Sequence, residues 1–433
     1  MSTGAPTASS AESFVNPYSR AMPVAKPDPR DGGLFVQIGL PIAVLALLTA
    51  LMPAIVVAMA LKVADVAGST GAAAGTLSLI LAVGAFAAMI VNPIAGRLSD
   101  RTRGRFGMRR PWIIGGAVVG FLALVLIAYS TNTALLVIGW ALAQAGYNAA
   151  LAALMAMLPD HVPTSRRGLI AAAIGVAQNV SVVAATFLVQ LFTATAQQFI
   201  VPGAIGSALV IIFALLAKDR VLTERPREPL GFVQLLGSFV FNPRKHPDLG
   251  WAWLTRFLMT AAQATALTYL TYFLIDRIGM SAAEAATGVF QATLANVVGL
   301  LLTSFVAGWL SDRLGRRKIF VGIAGLVGVA GLATVAFSSD FSMVLLGEFI
   351  MGVGIGTFYA VDLALITDVL PSDSDNGKDL GVVNIAQALP QSLVPVAAPG
   401  IIALTGGYAG LFLTGAAVGL VGVAAVTRVK SVK

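Results

Sequence analysis

The chain has 433 residues, 57% of them hydrophobic and only 11% charged, with a mean hydropathy of +0.86. Soluble domains carry about a quarter charged residues, so this balance excludes them and leaves a polytopic membrane protein. Twelve spans of about 20 apolar residues would use about 250 residues, close to the hydrophobic share. With no Cys and only His161 and His246, both expected in loops, disulfides and thiolate or histidine metal sites are excluded. No metal or cofactor is expected.

The first 33 residues are rich in Ser, Pro, Ala and Asp, with no apolar core before Leu34, and read as a polar tail rather than a signal peptide. Leu34 to Leu61 and Val66 to Gly96 supply two spans, and the charge-free segments Pro111 to Pro159 and Gly168 to Ala217 hold two each. Residues 218–248 form a charged linker whose apolar stretch, Phe232 to Phe241, suits a helix lying in the membrane interface. Four more spans begin near Leu249, Ala285, Ile319 and Phe341, and Leu380 to Thr427 holds the last two before a short tail over 428–433. No segment alternates as a membrane barrel strand would. The fold class expected is therefore all-α, twelve helices in two six-helix bundles, 34–217 and 249–427.

An even number of spans puts both termini on one side. Of 28 Lys and Arg, Lys62 and Arg277 fall in loops on the other side and Arg256 inside a span, which leaves 25 on the terminal side. The positive-inside rule makes that side the cytoplasm of a cell-membrane protein. The net charge of +8 is thus a matter of orientation, with the lipid bilayer and not nucleic acid as the partner. A monomer is expected, because each half can bury its small-residue faces against the other.

The two halves repeat. Gly96-Arg97-Leu98-Ser99-Asp100-Arg101 recurs as Gly308-Trp309-Leu310-Ser311-Asp312-Arg313, an offset of 212 that also maps Tyr147 onto Tyr359 and Leu158-Pro159 onto Leu370-Pro371. The second copy, with Gly315-Arg316-Arg317 following, resembles the loop between the second and third helices of each half in the major facilitator superfamily. The longer first copy, running through Arg109-Arg110-Pro111, is similar to the sucrose-transporter and glycoside-pentoside-hexuronide branch, as is Leu380-Gly381-Val382-Val383-Asn384 with Leu389-Pro390-Gln391. The resemblance implies that Asp100, Arg101, Arg109 and Arg110, with Asp312, Arg313 and Arg316, form a network that latches an outward-open state. The physical basis is a carboxylate at a helix end, able to accept hydrogen bonds from a neighbouring helix terminus in one conformer and to lose them in the other.

Polar residues within the spans concentrate on particular helices. The fourth carries Trp140, Gln144, Tyr147 and Asn148 at helical spacing, and the seventh carries Arg256, Thr260 and Gln263, with Tyr269 and Tyr272 further along. The eleventh carries Asn384, Gln387 and Gln391. Helices four and seven line the central cavity in the resembling family, which makes Trp140, Gln144, Tyr147, Asn148, Gln263 and Tyr359 candidate substrate contacts; hydrogen bonding between packed helices is the competing role. Amides and rings suit a neutral polar solute such as a sugar or glycoside.

Only Glu348 and Asp362 are acids well inside a span, both on the tenth, about 21 Å apart on one face. Either could carry a proton. Arg256 and Asp362 lie at similar depth, and a lone charge there costs about 2.5 to 3.5 kcal/mol, so the two are expected to pair. The second span has no acid, unlike melibiose-type sodium symporters of the resembling branch. These features point to a secondary transporter of a small polar solute, expected to run as a proton symporter, with proton-driven export or uniport as the alternatives. No nucleotide-binding loop is present and no span holds His or Cys, which argues against an ATPase or an intramembrane enzyme.

Overall fold

A computed structural model describes residues 33–67, 70–219, 221, 246–369 and 376–430. The N-terminal tail, the apolar stretch Phe232 to Phe241, the second Leu-Pro repeat and the side chains of Asp312 and Asn384 lie outside the described residues. Among those described, all regular structure is helical, and twelve helices are long and apolar enough to cross a membrane.

The first span, α1, runs as Gly33–Pro53, a π-turn Ala54–Ala58 and Met59–Ala67. There follow α2 (Thr70–Ser99), α3 (Arg110–Tyr129), α4 (Thr133–His161), α5 (Thr164–Gln190) and α6 (Thr195–Leu216). The second half comprises α7 (Pro247–Asp276), α8 (Ala282–Leu314), α9 (Arg317–Phe337), α10 (Phe341–Val369), α11 (Asn376–Thr405) and α12 (Tyr408–Val426). Helix ends are set by local chemistry. Asn132 Oδ1 caps α4 by accepting from the Leu135 N–H at 3.0 Å, and Ser281 with Glu284 forms a reciprocal capping box on α8. Gly315 closes α8 in the left-handed conformation, φ 60°, which favours glycine over any residue with a Cβ.

His161 differs from expectation: it is the last residue of α4 and is buried, because Val162 and Pro163, rather than His161, make the turn.

Small residues let neighbouring helices approach closely, as membrane packing without a hydrophobic drive requires. A methyl on Gly116 of α3 would lie 2.5 Å from the Gly146 carbonyl oxygen of α4, and one on Gly354 of α10 would lie 2.5 Å from the Gly328 nitrogen of α9. Contacts of the same kind also fix the register of the repeat. A methyl on Gly146 would meet the Gly120 nitrogen and the Gly116 carbonyl, and one on Gly354 the Gly328 nitrogen and the Ala324 carbonyl. Gly120 and Gly328, Gly116 and Ala324, and Gly146 and Gly354 are thus each 208 apart, as are the starts of α4 and α10, Thr133 and Phe341. Tyr147 and Tyr359 therefore sit on equivalent helices but one helical turn out of register.

The apolar core has a polarity of its own. At the end of the bundle remote from the chain ends, one continuous cluster joins both halves, including Val56, Leu77, Tyr269, Phe273 and Phe412. At the basic end, where α1 begins and α12 ends, the second half's core is a separate cluster around Leu249, Phe358 and Val426, while first-half residues there, such as Val36, Ile113, Met157 and Ala217, stay in the large cluster and Ala95, Ala149 and Ala152 form a small group apart.

Candidate functional site

The seal at the remote end is built from named bonds between halves. The Ser78 and Tyr269 hydroxyls are 2.7 Å apart, Thr271 Oγ1 donates to the Val56 carbonyl at 2.9 Å, and the Tyr272 hydroxyl donates to the Ala60 carbonyl at 2.9 Å. Pro53 interrupts α1 just before these contacts. Lacking an N–H, it disturbs the helical ladder, and the following turn is wound as a π-helix in which the Met59 N–H reaches back five residues to the Ala54 carbonyl. Phe187 of α5 meets Phe290 of α8 at 5.5 Å between ring centroids, closing the same end from the side.

Beneath the seal lies a cavity of about 120 Å³ at the junction of α1, α5, α7, α8 and α10. Asn179, Gln263, Thr293, Asn296 and Glu348 supply its polar lining, and the rest is aliphatic. Glu348 is 4% exposed and accepts a hydrogen bond from Asn296 Nδ2 at 2.9 Å. The same amide nitrogen lies 3.2 Å from the Glu348 carbonyl. Gln263 Oε1 accepts from the Tyr359 hydroxyl at 3.0 Å, which ties the cavity wall to α10.

Deeper toward the basic end, Arg256 joins three helices. Its Nη1 is 2.5 Å from Asp362 Oδ2 on α10, and its Nη2 donates to Gln387 Oε1 on α11 at 2.6 Å. The contact anticipated between Arg256 and Asp362 is thus present, and Gln387 extends it to a helix that packs against the first half. Arg256 Nε, Asp362 Oδ1 and Thr260 Oγ1 are buried and have no hydrogen-bond partner in the protein. Such a cluster suits bound water or a polar ligand atom.

The α4 stripe is arranged differently from expectation. Trp140 packs over Gly84 of α2, and its ring fills the place of a side chain there. Tyr147 is fully buried against Gly120 of α3, with its hydroxyl 2.9 Å from Ser207 Oγ on α6. Gln144 and Asn148 bond to each other, Nδ2 to Oε1, at 2.8 Å. In this conformer the two rings serve helix packing and stand outside the cavity lining. A small residue opposite each ring, Gly84 and Gly120, is the signal that would have assigned them to packing.

At the basic end, the Arg109 guanidinium is 4% exposed and holds Asp100 at 2.5 Å, Asp160 at 2.9 Å and Ser99 Oγ at 2.6 Å. Asp219 accepts the backbone N–H groups of Arg109 and Arg110 at 2.6 and 2.9 Å, an anion on the N-terminus of α3. Gly107, at φ 90°, leaves room for that carboxylate. The Arg110 side chain donates to the Ala214 and Leu215 carbonyls at the end of α6. Arg101 is half-buried, Arg313 lies over the Trp309 ring and Arg316 is exposed at the start of α9. Asp160 and Asp219 carry as much of this network as Asp100, although neither stood out in the sequence. Replacing Arg109 by Ala should therefore lower stability in detergent by about 2 to 4 kcal/mol, since it strands two carboxylates. Asp100→Ala should cost less than about 1 kcal/mol, because that carboxylate is 55% exposed. Equal shifts in thermal unfolding would show that Arg109 is not the hub.

A family model for the Major Facilitator Superfamily matches residues 42–302 and 288–432. Among curated proteins, the multidrug resistance protein MdtL of Shewanella oneidensis is 32% identical over 162 residues, covering 36% of this chain and 39% of that protein. An uncharacterized symporter of Synechocystis, sll1374, is 48% identical over 54 residues, 12% of this chain and 9% of that protein. The chain thus matches less than half the length of these relatives. A crystal structure of the nucleoside transporter NupG superposes with a TM-score of 0.72 at 13% identity, covering 91% of this chain and 99% of that one. These are membrane transport proteins and not enzymes. On the match across both halves and the twelve-helix fold, the chain belongs to the Major Facilitator Superfamily.

Proposed function

We propose that the chain is a proton-coupled secondary transporter that moves a small solute by rocking its two halves about the central cavity, with the basic end and both termini in the cytoplasm. The observation that carries this reading is the division of the core, continuous between halves at the remote end and split at the basic end. A cavity between homologous bundles, sealed from one side, is the arrangement alternating access requires. The concentration of Lys and Arg at the split end supports the orientation.

The solute is better described as a small molecule with an apolar body and one polar group than as a sugar. A sugar would be stacked on rings, and Trp140 and Tyr147 are committed to helix packing, whereas the cavity lining is chiefly aliphatic with three amides, a hydroxyl and one acid. Asp362 is the coupling acid in this reading. Protonation would weaken its bond to Arg256 and free the guanidinium, and with it Gln387 on α11.

Reconstitution into proteoliposomes with an imposed pH gradient tests the proposal, using disaccharides, glycosides, nucleosides and hydrophobic amines as solutes. One of them should accumulate or be expelled against its gradient. Asp362→Asn, which keeps an acceptor for Arg256, should abolish the pH-driven component while sparing solute counterflow. Transport indifferent to the gradient, or unchanged in Asp362→Asn, would overturn the coupling role.

A further inference from the structure

We propose that the Glu348 cavity is a binding site for a small amphiphilic monocation, a protonated amine with an aliphatic or aromatic body. This deepens the transporter reading and rests on it only for the conclusion that the cation is carried as well as bound.

The argument begins with charge. Glu348 and Asp362 are both buried acids on α10, but among the described residues only Asp362 has a cationic partner, Arg256. The hydrogen bonds to the Glu348 carboxylate come from one neutral amide, Asn296, and the side chains lining the cavity from α1, α5, α7, α8 and α10 include no Lys, Arg or His. Arg256 is engaged by Asp362, which lies about 21 Å from Glu348 along α10. A carboxylate at this depth without a counter-charge is unstable as an anion unless something positive enters beside it. The cavity provides the place for it.

The remaining lining states what that cation should look like. An ammonium has three N–H donors and no acceptor, and it needs oxygens around it. Besides the carboxylate, Asn179 uses its N–H toward the Gly175 carbonyl and keeps its side-chain oxygen unpaired in the protein, and Thr293 adds a hydroxyl. Leu267, Leu270, Val289 and Ile355 in the same lining offer aliphatic surface for a hydrocarbon body. A volume of about 120 Å³ limits the occupant to a compact molecule. An inorganic cation would leave that surface unused, and a neutral sugar would leave the acid uncompensated. The cavity also sits directly under the π-turn of α1, since Val56 lines it while its carbonyl is held by Thr271 of the other half. An occupant therefore touches both halves next to the seal.

The test is equilibrium binding by the full chain in lipid nanodiscs, which requires no transport. Benzylammonium is the probe, and benzyl alcohol, of nearly the same shape but neutral, is the control. Calorimetry at neutral pH should show benzylammonium binding at least about tenfold tighter than the alcohol, with Glu348→Gln removing that preference. Acidification should weaken benzylammonium binding in the unsubstituted protein, since a proton and the ammonium compete for one carboxylate, while leaving the alcohol unaffected. Equal affinity for the two probes, or a preference that survives in Glu348→Gln, overturns the site. If Glu348→Gln fails to insert or fold, the probe comparison and its acid dependence in the unsubstituted protein decide alone. Selective binding without pH-driven movement in proteoliposomes would sink the transporter reading and leave the site standing; pH-driven transport of a neutral solute with no ammonium preference would do the reverse.

Discussion

Replacing Asp362 by Ala should lower the stability of the detergent-solubilised protein by about 3 to 5 kcal/mol, one of the largest effects of any single change in the second half. The reason is the isolation of Arg256. Arg256 is 8% exposed, Asp362 is 1% exposed, and among the described residues this carboxylate is the only anion bonded to it. Removing the acid leaves a cation in a low-dielectric environment with only Gln387 to accept from it. Arg256→Ala should be comparably damaging, since it leaves Asp362 bare. The double replacement Arg256→Met with Asp362→Leu removes both charges and keeps apolar volume, so it should recover most of the lost stability, in line with the high desolvation penalty of buried pairs. Transport should not recover with it. Thermal unfolding of the three variants measures the coupling, and additive losses would mean that the two side chains do not depend on each other.

The pair was legible in the sequence because membranes make charge conspicuous. An Arg and an Asp within spans, at matching depths on helices of one half, have few ways to be accommodated other than together. The twelve spans were legible for a related reason, since hydropathy fixes length and the bilayer fixes how much length is needed. What the sequence concealed depends on contacts between helices. Tyr147 and Trp140 share a helical face with Gln144, yet whether that face meets a cavity or another helix depends on the neighbour, and Gly120 and Gly84 decide it for packing. The one-turn slip between α4 and α10 was hidden because the most similar hexapeptide lies on α2 and α8, where the offset is 212. Asp219 was read as one charge in a charged linker, although its position just beyond α6 lets it cap α3. Asn296 drew no notice in the sequence, and its partnership with Glu348 arises only when α8 and α10 pack so closely that Gly352 lies against the Asn296 backbone.

Joining Ser78 to Tyr269 covalently should stop transport altogether. These two residues, on α2 of one half and α7 of the other, meet through their hydroxyls at 2.7 Å within the seal at the remote end. If the halves rock about the central cavity, this contact must break in every cycle, because the cavity can open toward that face only by separating α2 from α7. The seal is composed of hydrogen bonds and ring packing with no ion pair between halves among the described residues, so its opening exposes no unpaired charge and is reversible at modest free-energy difference. The experiment is unusually clean here, since the chain has no Cys to react in the background. A variant with Ser78→Cys and Tyr269→Cys, treated with a short reducible thiol cross-linker, should lose transport by more than about a hundredfold and regain it on reduction, whereas either single cysteine should tolerate the reagent. Under the proposed rocking, binding from the basic end should survive the cross-link, because the link holds only the remote end shut. If transport continues with the link intact, the remote end is not a gate, and the contact between α2 and α7 belongs to the static framework of the bundle.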